Sequence, residues 1–250
     1  MNDFIVFGAP AIEQAEIDEV VQSLKSGWLC TGPKVARFEK DFRTYKSAQY
    51  SVAVNSCTAA LHLSMVAAGL NNGDEVITTA MTFCSTVNAI IHTGANPVLA
   101  DVNPITKNIE PDEIEKRITP KTKAIVPVHF AGRSCDMDAI MKIAKHHNLK
   151  VIEDCAHAIE TEYKGQKAGT FGDFGCFSFY VTIIMTKRRF RIDTFRGGGE
   201  TVIGEVSADF VRYWAPKVQE NGDSDLVQLV LSYESEEEDD LDPNSPKPRE

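Results

Sequence analysis

The spacing of apolar residues switches repeatedly between two periods along this chain. In "AIEQAEIDEVVQSLKS", residues 11 to 26, Ile12, Ile17, Val20, Val21 and Leu24 recur at helical spacing, and Gly27 can end the helix. "PKVARFEKDFRTY" predicts a second helix with Pro33 in its first turn. "YSVAVN" then predicts a short strand that enters an apolar helix beginning near Thr58. "NNGDE" is a turn, "EVITTA" a strand, "STVNAIIHTG" a helix closed by glycine and "NPVLADVN" a strand with a polar end. "EPDEIEKRIT" predicts a short helix and "TKAIVPVHF" a strand. "DMDAIMKIAKHHN" puts Met137, Ile140, Met141 and Ala144 on one helical face, and "LKVIEDCAH" ends a strand in acid and imidazole groups.

Strands that alternate with helices of crossover length predict an α/β domain over residues 50 to 180 with a mostly parallel sheet. Its binding groups are expected at the carboxyl ends of the strands. In "CFSFYVTIIMTKRRF", residues 176 to 190, Phe177, Phe179 and Val181 alternate with Ser178 and Tyr180, as in a buried strand. The alternation fails after residue 181. "GGGETVIG" reads as a turn and one strand, and residues 205 to 233 show no clear period beyond the strand-like "LVQLVLSY". The segment 234 to 250 is acidic and proline-rich, which predicts disorder.

Composition narrows the function classes. The 250 residues are enough for one large domain or two small ones. The net charge of −10 argues against nucleic-acid binding through a broad basic surface. Charge is unevenly placed: "ESEEEDDLD" supplies much of the deficit, and "KRRFR", residues 187 to 191, is a local basic cluster. No apolar run is long enough for a membrane span, and the first residues lack a leader pattern, so a cytoplasmic location is expected. Cys30, Cys57, Cys84, Cys135, Cys155 and Cys176 are scattered singly and read as reduced, mostly buried residues.

Several polar groups fall where strands end. Ser56 and Thr58 sit at a strand-to-helix junction, where free N–H groups and hydroxyls suit a phosphate; by themselves they read first as ordinary helix caps. Phe83 follows a strand, either as a platform for a flat ring or as core. Glu153, Asp154 and His157 offer a partner for a cationic ring nitrogen or a metal site, although no ligand spacing is complete, and Glu153 also fits a surface turn. Gly169, Gly172 and Gly175 permit tight backbone geometry, with Asp173 to orient it. Ser178 fits a phosphate donor, a strand alternation or a Ser178–His157–Asp154 triad, but no nucleophile elbow accompanies it.

Taken in order, "SGWLCTGPKVARFEKDF", "NSCTAALHL", "MTFCSTVNAI", "DVNPITKNIEPDEIE", "PVHFAGRSCDMDAI", "VIEDCAHA" and "GTFGDFGCFSFY" resemble the DegT/StrS-like sugar aminotransferases, which depend on pyridoxal phosphate. The resemblance spans about residues 5 to 182. It implies a fold type I large domain. It also implies that Ser56, Cys57, Thr58 and Ala59 hold the cofactor phosphate, with Ser178 as a further ligand. Phe83 then stacks on the pyridine ring, Asp154 pairs with its nitrogen and His157 lies beside it. Trp28, Thr31 and Gly32 match the segment that reaches the sugar-nucleotide pocket. The implied partners are an amino donor such as glutamate, a nucleotide-linked keto-sugar and a second copy of the chain.

The family pattern continues Phe-Ser-Phe-Tyr-x-Thr-Lys-Asn, followed by a Gly-Glu-Gly-Gly turn. Its lysine anchors the cofactor covalently and moves the reacting proton. Here Ile183 and Ile184 stand in the Lys and Asn positions. Lys187 is four residues downstream, about 13 Å along a strand or about 6 Å along a helix. That displacement far exceeds the roughly 0.5 Å tolerance of a catalytic group. The expected organisation is an N-terminal helical segment (1–48), a cofactor-binding large domain (49–204, divergent after 182), a remnant (205–233), an acidic tail (234–250) and no complete small domain. A change of reading frame near residue 183, and again near 197, accounts for the departure; natural loss of catalysis is the alternative.

Overall fold

The computed structural model describes residues 12 to 179. The expectations for Tyr180 onward, including Ile183, Lys187 and the tail, lie outside the described residues.

Helices α1 (Gln14–Ser26) and α2 (Pro33–Lys46) lead the chain. Gly27 takes the left-handed conformation that the first helix end requires, and Pro33 opens α2. The apolar stripe of α1 is largely uncovered: Ile17, Val21 and Leu24 are exposed, as is Ile12 just before the helix, and no residue of the helix is buried. Glu19 ties α1 to α2 through Lys34 and Arg37.

The remaining elements alternate as the sequence predicts. In order they are α3 (Cys57–Ala67), β1 (Glu75–Thr79), α4 (Cys84–His92), β2 (Asn96–Ala100), α5 (Pro111–Glu115), β3 (Thr122–Ile125), α6 (Met137–His147) and β4 (Lys150–Cys155). A two-stranded hairpin, β5 (Glu162–Tyr163) and β6 (Gln166–Lys167), precedes β7 (Phe174–Phe177). Five strands form a parallel sheet in the order β2-β1-β3-β4-β7. The connections leaving β1 and β3 run to opposite sides, and open α/β sheets bind their ligands at the carboxyl ends beside such a reversal.

Period-two alternation divides the sheet residues between two cores. Val76, Ala124, Val126, Ile152 and Cys176 pack with Leu61 and Met65 of α3 and Ala89 and Ile90 of α4. Ile77, Ile125 and Val151 pack with Ile114 of α5 and Met137, Ile140, Ile143 and Ala144 of α6. The sheet therefore lies between two helical layers. Each fully buried Leu, Ile or Met contributes about 1.5–3 kcal/mol relative to an exposed one. A third cluster seats α2 on the β7 side, where the Phe42 ring lies 5.0 Å from Phe177 and 5.6 Å from Phe179.

Three local expectations change. "YSVAVN" is not a strand: the Ala53 amide donates to Glu39 Oε1 at 2.8 Å instead of joining a ladder, and Tyr50 and Val52 are exposed. The final strand starts earlier than the aromatic alternation suggests and stops at Phe177, so Ser178 lies just beyond it. Its start is set by Asp173, which accepts the Val151 amide at 2.9 Å and Lys150 Nζ at 2.7 Å. The cysteines are unpaired, as expected, but Cys30 and Cys84 are exposed rather than buried.

Candidate functional site

Ser56 starts α3 with its side chain, which accepts the Ala59 amide at 3.1 Å. The Cys57 and Thr58 amides belong to the first turn, where a helix offers its N–H groups no internal carbonyl. Helix α3 packs on β4 and β7, and Cys57 at its start feels the charge of Asp154 near the end of β4. Burial, first, and then the nearby Asp154 charge push the Cys57 thiol up.

Asp154 is 4% exposed. Its Oδ2 accepts the Thr86 hydroxyl at 2.7 Å, and its Oδ1 accepts the Ala156 amide at 3.1 Å. Burial raises its pKa, while these two bonds act in the opposite direction. Phe83 precedes α4 and is 74% exposed, unlike a core aromatic. His157 is exposed and its ring lies 6.5 Å from that of Phe130. Among the described residues, Asp154 makes no hydrogen bond to His157, so the proposed triad is not assembled. Ser178 is partly buried just past β7. Trp28 folds back, its Nε1 donating to the Thr31 carbonyl at 3.0 Å. The exposed indole lies where a Cβ at position 32 would stand, so a side chain there would displace Trp28 from this position.

Glu153 is fully buried, which corrects the surface-turn reading. Its Oε1 accepts the Phe171 and Gly172 amides, and its Oε2 the Gly169 amide, each at 2.8 Å. His129 Nε2 lies 3.0 Å from Oε2, while its Nδ1 accepts the Cys135 amide at 3.1 Å. The second bond leaves the proton on Nε2, so a neutral imidazole donates to Glu153. Burial pushes the Glu153 carboxyl up, but the His129 bond and the loop amides hold it below its ordinary value.

His129, Glu153 and Cys155 bring potential metal ligands within 4.8 Å of one another. Both imidazole nitrogens and both carboxylate oxygens are engaged, and burial holds the Cys155 thiol protonated. This donor set does not fit a metal. It fastens the loop 169–172, where Gly169 adopts φ +84° and has no room for a Cβ beside Phe177 and Cys155.

The sequence reading missed three buried polar groups. Thr86 and His129 left only one signal each, a hydroxyl in a helix's first turn and an imidazole after an apolar strand. Lys46 resembled any other lysine near a helix end. It is 2% exposed, and its Nζ donates to the Ile159 carbonyl at 2.8 Å and the Ala168 carbonyl at 2.9 Å. Burial lowers its pKa to about 8.

The carboxyl side of the sheet thus carries the N-terminus of α3, an exposed aromatic residue at Phe83 and a buried acid at Asp154. Together these suit a flat cationic heterocycle carrying a phosphate. The DegT/DnrJ/EryC1/StrS aminotransferase family model matches residues 10–188. The spore coat polysaccharide biosynthesis protein SpsC of Bacillus subtilis is 51% identical over 211 residues, which cover 84% of this chain and 52% of that protein. The aminotransferase structure from Psychrobacter cryohalolentis aligns with a TM-score of 0.71 and 38% identity, covering 82% of this chain and 51% of that one. The PLP-form of the putative sugar aminotransferase Spr1654 from Streptococcus pneumoniae aligns at 0.68 and 39%, covering 71% and 49%. The chain spans about half the length of these relatives. A family match over most of its residues, on a sheet with these groups at its carboxyl edge, means that the chain belongs to the DegT/DnrJ/EryC1/StrS aminotransferase family.

Proposed function

We propose that this chain is the cofactor-holding part of a sugar aminotransferase, and that it binds pyridoxal phosphate without the usual covalent anchor. The observation that carries this reading is the convergence of the α3 N-terminus with the buried Asp154 carboxylate. The PLP-form of the pneumococcal relative supports the choice of ligand.

In this reading Ser56, Cys57, Thr58 and Ala59 hold the phosphate, and Ser178 adds a hydroxyl. The Phe83 ring covers one face of the pyridine. Asp154 keeps the ring nitrogen protonated, and His157 lies at the ring's side. When bound, the cofactor supplies the electron sink for exchanging an amino group between an amino acid such as glutamate and a nucleotide-linked keto-sugar. Trp28, Thr31 and Gly32 belong to the sugar-nucleotide side, and a second copy of the chain completes the assembly.

Ile183 can neither bond covalently to the cofactor nor carry a proton, so the chain as written binds but does not transaminate. The test is titration with pyridoxal phosphate, followed by absorbance, borohydride reduction and peptide mapping. Reversible binding with no single labelled lysine is expected, and Ile183→Lys is expected to create one labelled site. A specific adduct on Lys187 in the unaltered chain would refute the loss of the anchor. Failure of the folded chain to bind at all would refute the cofactor reading.

A further inference from the structure

The Asp154 carboxylate does not stand alone at the end of β4. Thr86 is fully buried, and its hydroxyl donates to Oδ2 at 2.7 Å. Thr82 Oγ1 lies 2.7 Å from Thr86 Oγ1. A hydroxyl has one proton, and an ionised carboxylate only accepts. Thr86 therefore spends its proton on Asp154, so Thr82 is the donor to Thr86. The direction of the whole chain is fixed: Thr82 to Thr86 to Asp154.

This chain also joins two parts of the site. Thr86 lies three residues after Phe83, in the first turn of α4, and its amide donates to the Phe83 carbonyl at 3.1 Å. One helical turn thus carries both the exposed ring and the hydroxyl that grips the acid. The grip spans 68 residues of sequence and holds the start of α4 to the end of β4. The Ala156 amide restrains the other carboxylate oxygen. With one donor on each oxygen, the carboxylate plane is set, and each oxygen keeps a lone pair for a further donor.

We propose that Thr86, backed by Thr82, is a positioning residue that aims the Asp154 carboxylate at a ring N–H lying over Phe83. This rests on the cofactor reading above. Thr86 does not touch the ligand; it acts through Asp154. A Val at position 86 keeps the shape but leaves Oδ2 without its donor, which favours the neutral acid and frees its rotation. A Ser keeps the donor.

The test uses the full chain and two probes that need no anchoring lysine: pyridoxamine 5′-phosphate and its 1-deaza analogue, in which a C–H replaces the ring nitrogen. Binding is read by ligand fluorescence, and folding by circular dichroism. Thr86→Val is expected to weaken pyridoxamine phosphate about tenfold, the scale of one charge-assisted hydrogen bond, and to leave the deaza analogue within about twofold. Thr86→Ser is expected to restore most of the loss. Equal weakening of both probes would assign Thr86 a merely structural role and overturn the proposal, as would unchanged binding of both. If the unaltered chain binds neither probe, the cofactor reading itself fails, and this inference with it. If Thr86→Val does not fold, a Thr86→Ser protein that binds only the deaza analogue normally would also overturn it.

Discussion

Replacing Glu153 by Gln changes one atom, yet it should destabilise the protein severely. The native carboxylate takes three backbone amides and the His129 N–H, with two donors on each oxygen. A glutamine carbonyl can keep Phe171 and Gly172. Its NH2 group then faces the Gly169 amide and His129 Nε2–H, which are both donors. His129 cannot relieve the conflict by moving its proton, because Nδ1 accepts from Cys135. Two bonds to a charged acceptor are lost, each worth about 1.5–3 kcal/mol, so a loss of about 3–6 kcal/mol is expected. With a urea slope of about 2 kcal/mol per molar, the unfolding midpoint should fall by about 1.5–3 M. The effect also has a pH signature. Because the folded carboxyl lies below its ordinary value, its contribution is present above the unfolded pKa and is lost as pH falls through the folded one. The gap between the two proteins should therefore narrow in acid, starting near the ordinary glutamate value of about 4.3. Urea unfolding followed by circular dichroism at neutral and acidic pH measures both effects. A neutral-pH midpoint shift below about 0.5 M, or a gap that widens in acid, would refute the four-donor account of Glu153.

Two further substitutions separate scaffold from site. Lys46→Met leaves the Ile159 and Ala168 carbonyls without their donor and should cost about 1–3 kcal/mol at neutral pH. Lys46 is held at about 8, against about 10.4 when unfolded, so between these values the unfolded chain binds more protons and stability rises with pH. Unfolding curves across that range should show a rise that Lys46→Met reduces; an identical slope in both proteins would contradict the assignment. Phe83→Ala should move the thermal midpoint little, because the residue is 74% exposed, yet weaken pyridoxamine phosphate severalfold by fluorescence titration. A large loss of stability without a change in binding would return Phe83 to the core.

The periodic elements were legible because burial imposes a period on them. α6 shows this well, with Met137, Ile140 and Ala144 on its covered face. "YSVAVN" misled because alternation reports a half-buried extended segment and not whether another strand is there to pair with it. The acid pair on β4 shows the limit for the site. Adjacent strand residues face opposite ways, so Asp154 joins α4 while Glu153 faces the loop at 169–172. Letters alone do not tell which of the two acids meets the proposed site, and only the resemblance singles out Asp154. Thr86, His129 and Lys46 escaped notice because their partners are 68, 24 and 113 residues away.

Those separations also bear on the order in which the chain can close upon itself. The bond from the Gly169 amide to Glu153 spans 16 residues, whereas the Thr86 bond to Asp154 spans 68. With chain closure scaling as (3/2)RT ln n, the longer loop carries about 1.3 kcal/mol more entropic cost. The difference is modest, but it favours the fastening of β4 to its following loop before the tether from α4. Neighbouring acids on one strand thereby stand at two stages of assembly: one can secure the framework locally while the other waits for a distant helix.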